Sequence, residues 1–334
     1  MQADYQREAA FALQAVSVAA KLCRRVQQAM VSPAMAKSDQ SPVTVADFAS
    51  QALFASLLQE SFPEDVLVAE EDSRALREEA EALAAVHAFV AQARPGATAE
   101  RVCAWIDRGM AEPQRRFWTL DPIDGTKGFL RGDQYVVAVA LIEEGEVRVG
   151  AMGCPNLNCQ IEPDVGGEGC ALLAVRGEGS WAYSLEGEPG PRLRVSEERD
   201  PRQARVLRSF ESGHTNEALM DQILEAMGVQ GPPVLMDSQA KYAILAAGGG
   251  ELLFRLLSPS RPDYAEKIWD QAAGSIVLEE AGGKITDLRG QRLDFSQGRE
   301  LRRNIGVLAS NGLLHDAGLS AVRVVGADRR PEAA

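Results

Sequence analysis

The stretch FWTLDPIDGTKGF, from Phe117 to Phe129, leaves this chain the fewest structural options. It opens as a strand, and Pro122 biases the residue before it, Asp121, toward extended backbone. Gly125 permits close backbone approach and Thr126 offers a hydroxyl where a helix is expected to begin, with amide hydrogens free to receive an anion. Asp121 and Asp124 flank the turn and can point to a common spot, with the Ile123 carbonyl between them as a neutral oxygen. Hard cations such as magnesium take oxygen ligands of this kind, usually with phosphate oxygens and water completing the shell. Two carboxylates about 4 Å apart repel by roughly 4 kcal/mol at an effective dielectric near 20, so several gathered in one cleft imply a cation among them.

The remainder of the chain bounds what such a turn can serve. At 334 residues it is too long for one compact core, and two domains are expected. With 46% apolar and 25% charged residues it has the composition of an ordinary globular protein rather than a disordered or fibrous one. A formal net charge of −13 argues against nucleic acid and anionic membrane as partners, so an anionic substrate would need local cations to receive it. No stretch approaches the ~20 apolar residues of a membrane span. The five cysteines form no C-x-x-C pair, and three histidines leave little for zinc. Reduced, mostly buried thiols and a cytoplasmic setting are expected.

Ala12, Val16, Ala19, Cys23 and Val26 recur at helical spacing and predict an amphipathic first helix. SPAMAKSDQSPVTVADF reads as a loop into a second helix, closed by Pro63. VLVAEED reads as a short buried strand ending in acids. Residues 72–115 are helix-rich, broken at RPGA, and YVVAVALIEEGEVRVGAMGCP is strand-turn-strand. The strand-like CALLAVRGEGSWAY and RLRVS precede the acidic EERDPRQ, where the domain boundary is placed. Beyond it strands and helices alternate: ARVLRSF, NEALMDQILEAMG, PVLMDS, KYAILAAGG, ELLFRLL, KIWDQAAGSIVLEEAGG, KITDLRG. The expectation is an α+β domain over residues 1–200, an α/β domain over 201–320 and a tail over 321–334.

Asp47, Glu70 and Asp270 join Asp121 and Asp124 as acids at element ends; each alone reads as a surface charge or a helix cap. Four motifs in order change that reading. DPIDGTKGFLRGDQYVVAVALI and WDQAAGSIVLEEAGG resemble the two signatures of the inositol-monophosphatase superfamily of magnesium-dependent phosphatases, and VTVADFASQ and VAEED resemble its earlier acidic motifs. Within it, KGFLRGDQY, MDSQAKY and EKIWD are similar to the 3′(2′),5′-bisphosphate nucleotidases. The resemblance runs from about Val43 to Asn311.

It implies a layered fold of two sheets sandwiched by helices, with the site in the cleft between domains. It further implies hydrolysis of the 3′-phosphate of adenosine 3′,5′-bisphosphate by way of two or three Mg²⁺ ions, and sensitivity to lithium. Glu70, Asp121, Asp124 and Asp270 would be carboxylate ligands and Ile123 a carbonyl ligand, with Ala69 standing where relatives commonly carry glycine. Asp47 and Thr126 would activate the attacking water. Thr126, His214, Ser238, Lys241, Arg255 and Asp270 would hold the substrate, and Lys241 and Arg255 are cations suited to its second phosphate. The sulfated analogue, adenosine 3′-phosphate 5′-phosphosulfate, is a further candidate substrate. The alternatives are a phosphatase for inositol phosphates or fructose 1,6-bisphosphate on the same metal centre, and a non-catalytic nucleotide-binding regulator.

Overall fold

The computed structural model describes residues 5–29, 35–36, 42–210 and 216–331. Helix α1 (Gln6–Ala29) buries Ala12, Val16, Ala19, Cys23 and Val26, the face its periodicity marks out. A two-stranded ribbon, β1 (Met35–Ala36) with β2 (Pro42–Val43), leads into α2 (Val45–Ser61). That helix starts earlier than VTVADF suggests. Thr44 caps it, accepting the Ala46 N–H, and receives in return the carboxylate of Asp47, a reciprocal pair that satisfies donors at the helix start. Because α2 is buried on nearly every side, it carries almost no amphipathic pattern.

Seven strands form the first sheet in sequence order: β3 (Val66–Ala69), β4 (Arg116–Asp124), β5 (Val136–Glu143), β6 (Glu146–Cys154), β7 (Cys170–Val175), β8 (Gly179–Ser184) and β9 (Pro189–Arg192). Only β3 and β4 run parallel. Between them lie α3 (Arg74–Glu78), α4 (Ala80–Ala93) and α5 (Ala99–Asp107), and α6 (Thr126–Arg131) follows β4. The second sheet has the order β11-β10-β12-β14-β13, from β10 (Val206–Arg208), β11 (Val234–Leu235), β12 (Leu252–Arg255), β13 (Lys284–Thr286) and β14 (Val307–Ser310). Helices α7 (Glu217–Met227), α8 (Ala240–Ala246), α9 (Ala272–Glu280) and α10 (His315–Val324) complete it.

Strand alternation assigns the layers. Val137, Val139 and Leu141 of β5 face α1 and α2, whereas Val136, Ala138, Ala140 and Ile142 face the opposite way, onto α8 and α9. The same central layer receives Leu207, Leu253 and Ala309 from the second sheet, so α8 and α9 are shared by both sheets. Val206, Leu252, Phe254 and Leu308 point outward beneath α7 and α10. The order is helices, sheet, helices, sheet, helices.

Three local expectations are corrected. Residues 321–324, assigned to a tail, finish α10 and bury Ala321 and Val322. The strand Val307–Ser310, absent from the sequence reading, lies inside the second sheet between β12 and β13. Helix α9 begins only at Ala272, leaving Trp269 and Asp270 in the segment that leads into it.

Candidate active site

The acidic turn owes its shape to a bulge. Asp121 pairs with Ala138 and Asp124 with Val136, so three steps along β4 match two along β5. Residues three apart on a regular strand face opposite ways; one extra residue returns them to the same side. Asp121 and Asp124 therefore both face the α8/α9 layer, as do Ala138 and Val136. Pro122 has no N–H to give to the ladder at this point, and its carbonyl accepts the Ser50 hydroxyl at 3.0 Å. The chain then turns through Gly125, at φ 89°, into α6.

Thr126, the first residue of α6, donates its hydroxyl toward Asp47 Oδ1 at 3.4 Å and lies 3.3 Å from the Ile123 carbonyl. The other oxygen of Asp47 is already engaged, accepting the Thr44 N–H at 2.8 Å and the Thr44 hydroxyl at 2.6 Å. Asp47 is thus a helix cap, and the cap fixes the carboxylate that meets Thr126.

The DSQAKY segment closes against this turn from the second half of the chain. Asp124 Oδ2 accepts the Gln239 N–H at 2.7 Å. A Cβ placed on Gly125 would lie 2.8 Å from Ser238 Cβ, so only glycine lets the two loops touch. Ser238 has φ 62°, a strained left-handed conformation for a side chain of its kind. Asp237 pairs with Arg131 at the end of α6 and accepts the Phe210 N–H at 3.2 Å. Lys241 is buried, its ammonium donating to Ser209 Oγ at 3.1 Å and the Met236 carbonyl at 3.2 Å. Lys241 and Arg255 line a small cavity of about 20 Å³ together with Arg208 and Ser209. Arg255 pairs with Glu266 at 2.9 Å, and Glu266 also accepts from Gln271 at 2.8 Å.

The charges of this region act on one another. Burial drives the Asp270 carboxyl well above its usual range; Asp124 and Glu70 push it further, against Arg255. Burial raises Asp124 too, opposed by Lys241, Arg255 and the Gln239 N–H. Burial lowers Lys241 to about 8, with Asp124 working the other way. Among the described residues no three histidine, cysteine or acidic side chains stand at ligand distance from one point. Two of the acids are turned onto backbone donors: Asp121 Oδ1 takes the Ile123 N–H at 3.1 Å, and Asp124 takes Gln239. The donors are nonetheless all oxygen, and a buried Asp270 whose charge is opposed by Asp124 and Glu70 suits a hard cation.

Of the residues singled out from sequence, Asp47, Ile123 and Thr126 meet through hydrogen bonds. Asp124, Ser238, Lys241 and Arg255 share the seam between the turn and the second sheet. Glu70 and Asp270 join them through their fields. His214 lies outside the described residues. Asp237, Gln239 and Glu266 went unremarked, although DSQAKY and EKIWD contain them.

The five-layered arrangement is that of known phosphatases. An IMPase structure from Thermotoga maritima superposes with a TM-score of 0.68 at 22% identity, over 96% of this chain and 98% of that one. The inositol monophosphatase from Anabaena gives 0.64 at 20% identity, over 96% and 97%. The model of the inositol monophosphatase family matches residues 3–325. The chain belongs to the inositol monophosphatase family. Among curated relatives, a 3′(2′),5′-bisphosphate nucleotidase of Oryza sativa is 42% identical over 96% of this chain and 94% of its own. Proteins of that name from Schizosaccharomyces pombe (39%, over 92% of each chain) and Arabidopsis thaliana (40%, over 96% of each) are similar in extent.

Proposed function

We propose that this protein is a magnesium-dependent 3′(2′),5′-bisphosphate nucleotidase that converts adenosine 3′,5′-bisphosphate to AMP and phosphate, with the 5′-phosphosulfate analogue as a second substrate. The observation that carries this reading is the bond from the Gln239 amide to Asp124, which seats the acidic turn against the segment bearing Ser238 and Lys241. Relatives named for this activity at 37–42% identity support the substrate assignment. The solved structures, at 22% identity and below, speak for the fold alone.

Glu70, Asp121, Asp124, Asp270 and the Ile123 carbonyl would hold two or three Mg²⁺ ions. When bound, magnesium supplies positive charge that acidifies water and neutralises the phosphoryl oxygens. Thr126 already donates toward Asp47, which leaves its oxygen lone pairs to accept a hydrogen from the attacking water, with Asp47 as the proton's destination. Lys241 and Arg255 receive the second phosphate, and His214 the nucleoside. Among the described residues no helix is long and apolar enough to cross a membrane, and all five cysteines are free; we place the enzyme in the cytoplasm.

Phosphate release measured side by side on adenosine 3′,5′-bisphosphate and inositol 1-phosphate decides the substrate. The expected outcome is a kcat/KM at least tenfold higher for the nucleotide, dependent on magnesium. The reverse preference transfers the assignment to inositol phosphates, and nucleotide binding without turnover would make the protein a regulator.

A further inference from the structure

Glu70 directly follows β3 and Asp270 stands just ahead of α9, 200 positions apart, and the backbone on the near side of each is held by one side chain. Arg299, in the long connection between β13 and β14, donates through Nη2 to the carbonyl of Ala69, the residue immediately before Glu70. Its Nη1 donates to the Gly109 carbonyl at 3.0 Å and reaches the Ala111 carbonyl at 3.4 Å. The guanidinium carbon lies 4.9 Å from the ring centroid of Trp269, the residue immediately before Asp270. The Arg299 carbonyl also accepts the Ile268 N–H at 3.2 Å, and residues 267 and 300 form a β-bridge, so this segment is tied to the approach to Asp270 by its backbone as well.

The other side of the Glu70 turn is secured from within the first half of the chain. Buried Gln51 donates to the Glu71 carbonyl at 2.6 Å and accepts the Glu71 N–H at 3.0 Å. The backbone before Glu70 is tied to the Gly109 carbonyl, which accepts both the Ala69 N–H at 2.8 Å and Arg299. A Cβ on Gly109 would lie 2.6 Å from Gln51 Nε2 and 2.8 Å from Ala69 Cβ. Gln51 of α2 therefore sets the far side of the turn, and Arg299 ties its near side to the approach to Asp270. A forked, planar donor can hold two carbonyls while stacking on an indole; an ammonium cannot.

We propose that Arg299 is a positioning residue that holds Glu70 in register with Asp270, so that both can serve one metal centre. This rests on the metal-ligand roles proposed above. It predicts that Arg299 acts on metal affinity rather than on the chemical step.

The test is calorimetric titration of Mg²⁺ into substrate-free protein, paired with the Mg²⁺ dependence of phosphate release. Arg299→Met keeps the stem over Trp269 and removes the fork; the Mg²⁺ dissociation constant and the half-activating concentration are expected to rise about tenfold. With metal saturating, kcat should stay within about threefold of the parent. Arg299→Lys should weaken binding about threefold, and it alone decides the matter if the methionine variant does not fold. Glu300→Gln, which breaks the Lys267–Glu300 pair in the same segment without touching Ala69, should leave affinity unchanged. Parent-like Mg²⁺ affinity in folded Arg299 variants overturns the proposal, as does an equal loss in Glu300→Gln. A parent protein that binds no Mg²⁺ at all instead refutes the metal-ligand assignment, and the two failures are separable.

Discussion

Asp270 carries a charge that its surroundings penalise. A carboxylate raised by burial and by three neighbouring acids, Asp124, Glu70 and Glu266, costs stability in the apo fold and is retained for what it does. Asp270→Asn should therefore lower turnover by about 10³-fold or more, as removal of a charge-stabilising group does. In the presence of a chelator its thermal midpoint should equal or exceed the parent's by a few degrees, because the repulsion with Asp124 and Glu70 is gone. A midpoint lower by more than about 3 °C would show that Asp270 holds the fold rather than the metal. The family resemblance marked this residue by its motif, but no pattern in WDQAAG reveals that it sits ahead of the helix among other acids.

At the scale of elements, α10 shows how a helix whose last turn was assigned to a tail is bound into the core. His315, its first residue, is fully buried and lies 2.9 Å from both Thr286 Oγ1 and Ser310 Oγ, tying the helix to β13 and β14. Burial holds its imidazole down to about 4, from an ordinary 6.5; Lys284 contributes in the same direction and Asp316 opposes it. The unfolded chain therefore binds a proton that the folded one refuses. Stability from this site is complete above pH 6.5 and is lost as the pH falls toward 4, at about 1.4 kcal/mol per pH unit within the window. Replacing the imidazole by an uncharged amide in His315→Gln should flatten that part of the profile, which denaturant midpoints at pH 7 and pH 5 will register. An undiminished acid slope would assign the effect to other groups. The end of α10 was read as tail from residue 321 because the ADRRPEAA that follows is polar and the residues that matter, Ala321 and Val322, are few and small.

For the molecule as a whole, the decisive feature is that both sheets pack on one helical layer. Gly150 of β6 marks the closeness of that packing. A Cβ there would sit 2.3 Å from Ile276 Cγ2 and 3.1 Å from the Ala273 carbonyl of α9. Gly150→Ala should drive a wedge between the first sheet and α9 and cost about 1–3 kcal/mol. Because α9 also serves the second sheet, far-UV dichroism and tryptophan fluorescence should still report a single denaturation transition, shifted together. Separate transitions would mean that the halves unfold independently. Much at this scale was legible in advance: α1 through its apolar spacing, the β5–β6 hairpin through its Glu-Glu-Gly turn, and the alternation of strands and helices beyond residue 204. Strand β14 and the two-residue extent of β11 were not, since strand pairing rewards neighbours that a local reading cannot see.

What the sequence determined by itself was the chemistry available: oxygen donors at element ends, a glycine-threonine turn after the paired acids, and cations on the second half of the chain. Those are properties of residue types and short spacings. The tertiary structure decided which of them meet. A single extra residue in β4 turns Asp121 and Asp124 to the same side, the Gln239 amide receives Asp124 from more than a hundred positions away, and Arg299 spans the approaches to Glu70 and Asp270. Each of these depends on sheet register and layer contact, which are fixed only when distant segments exclude water together.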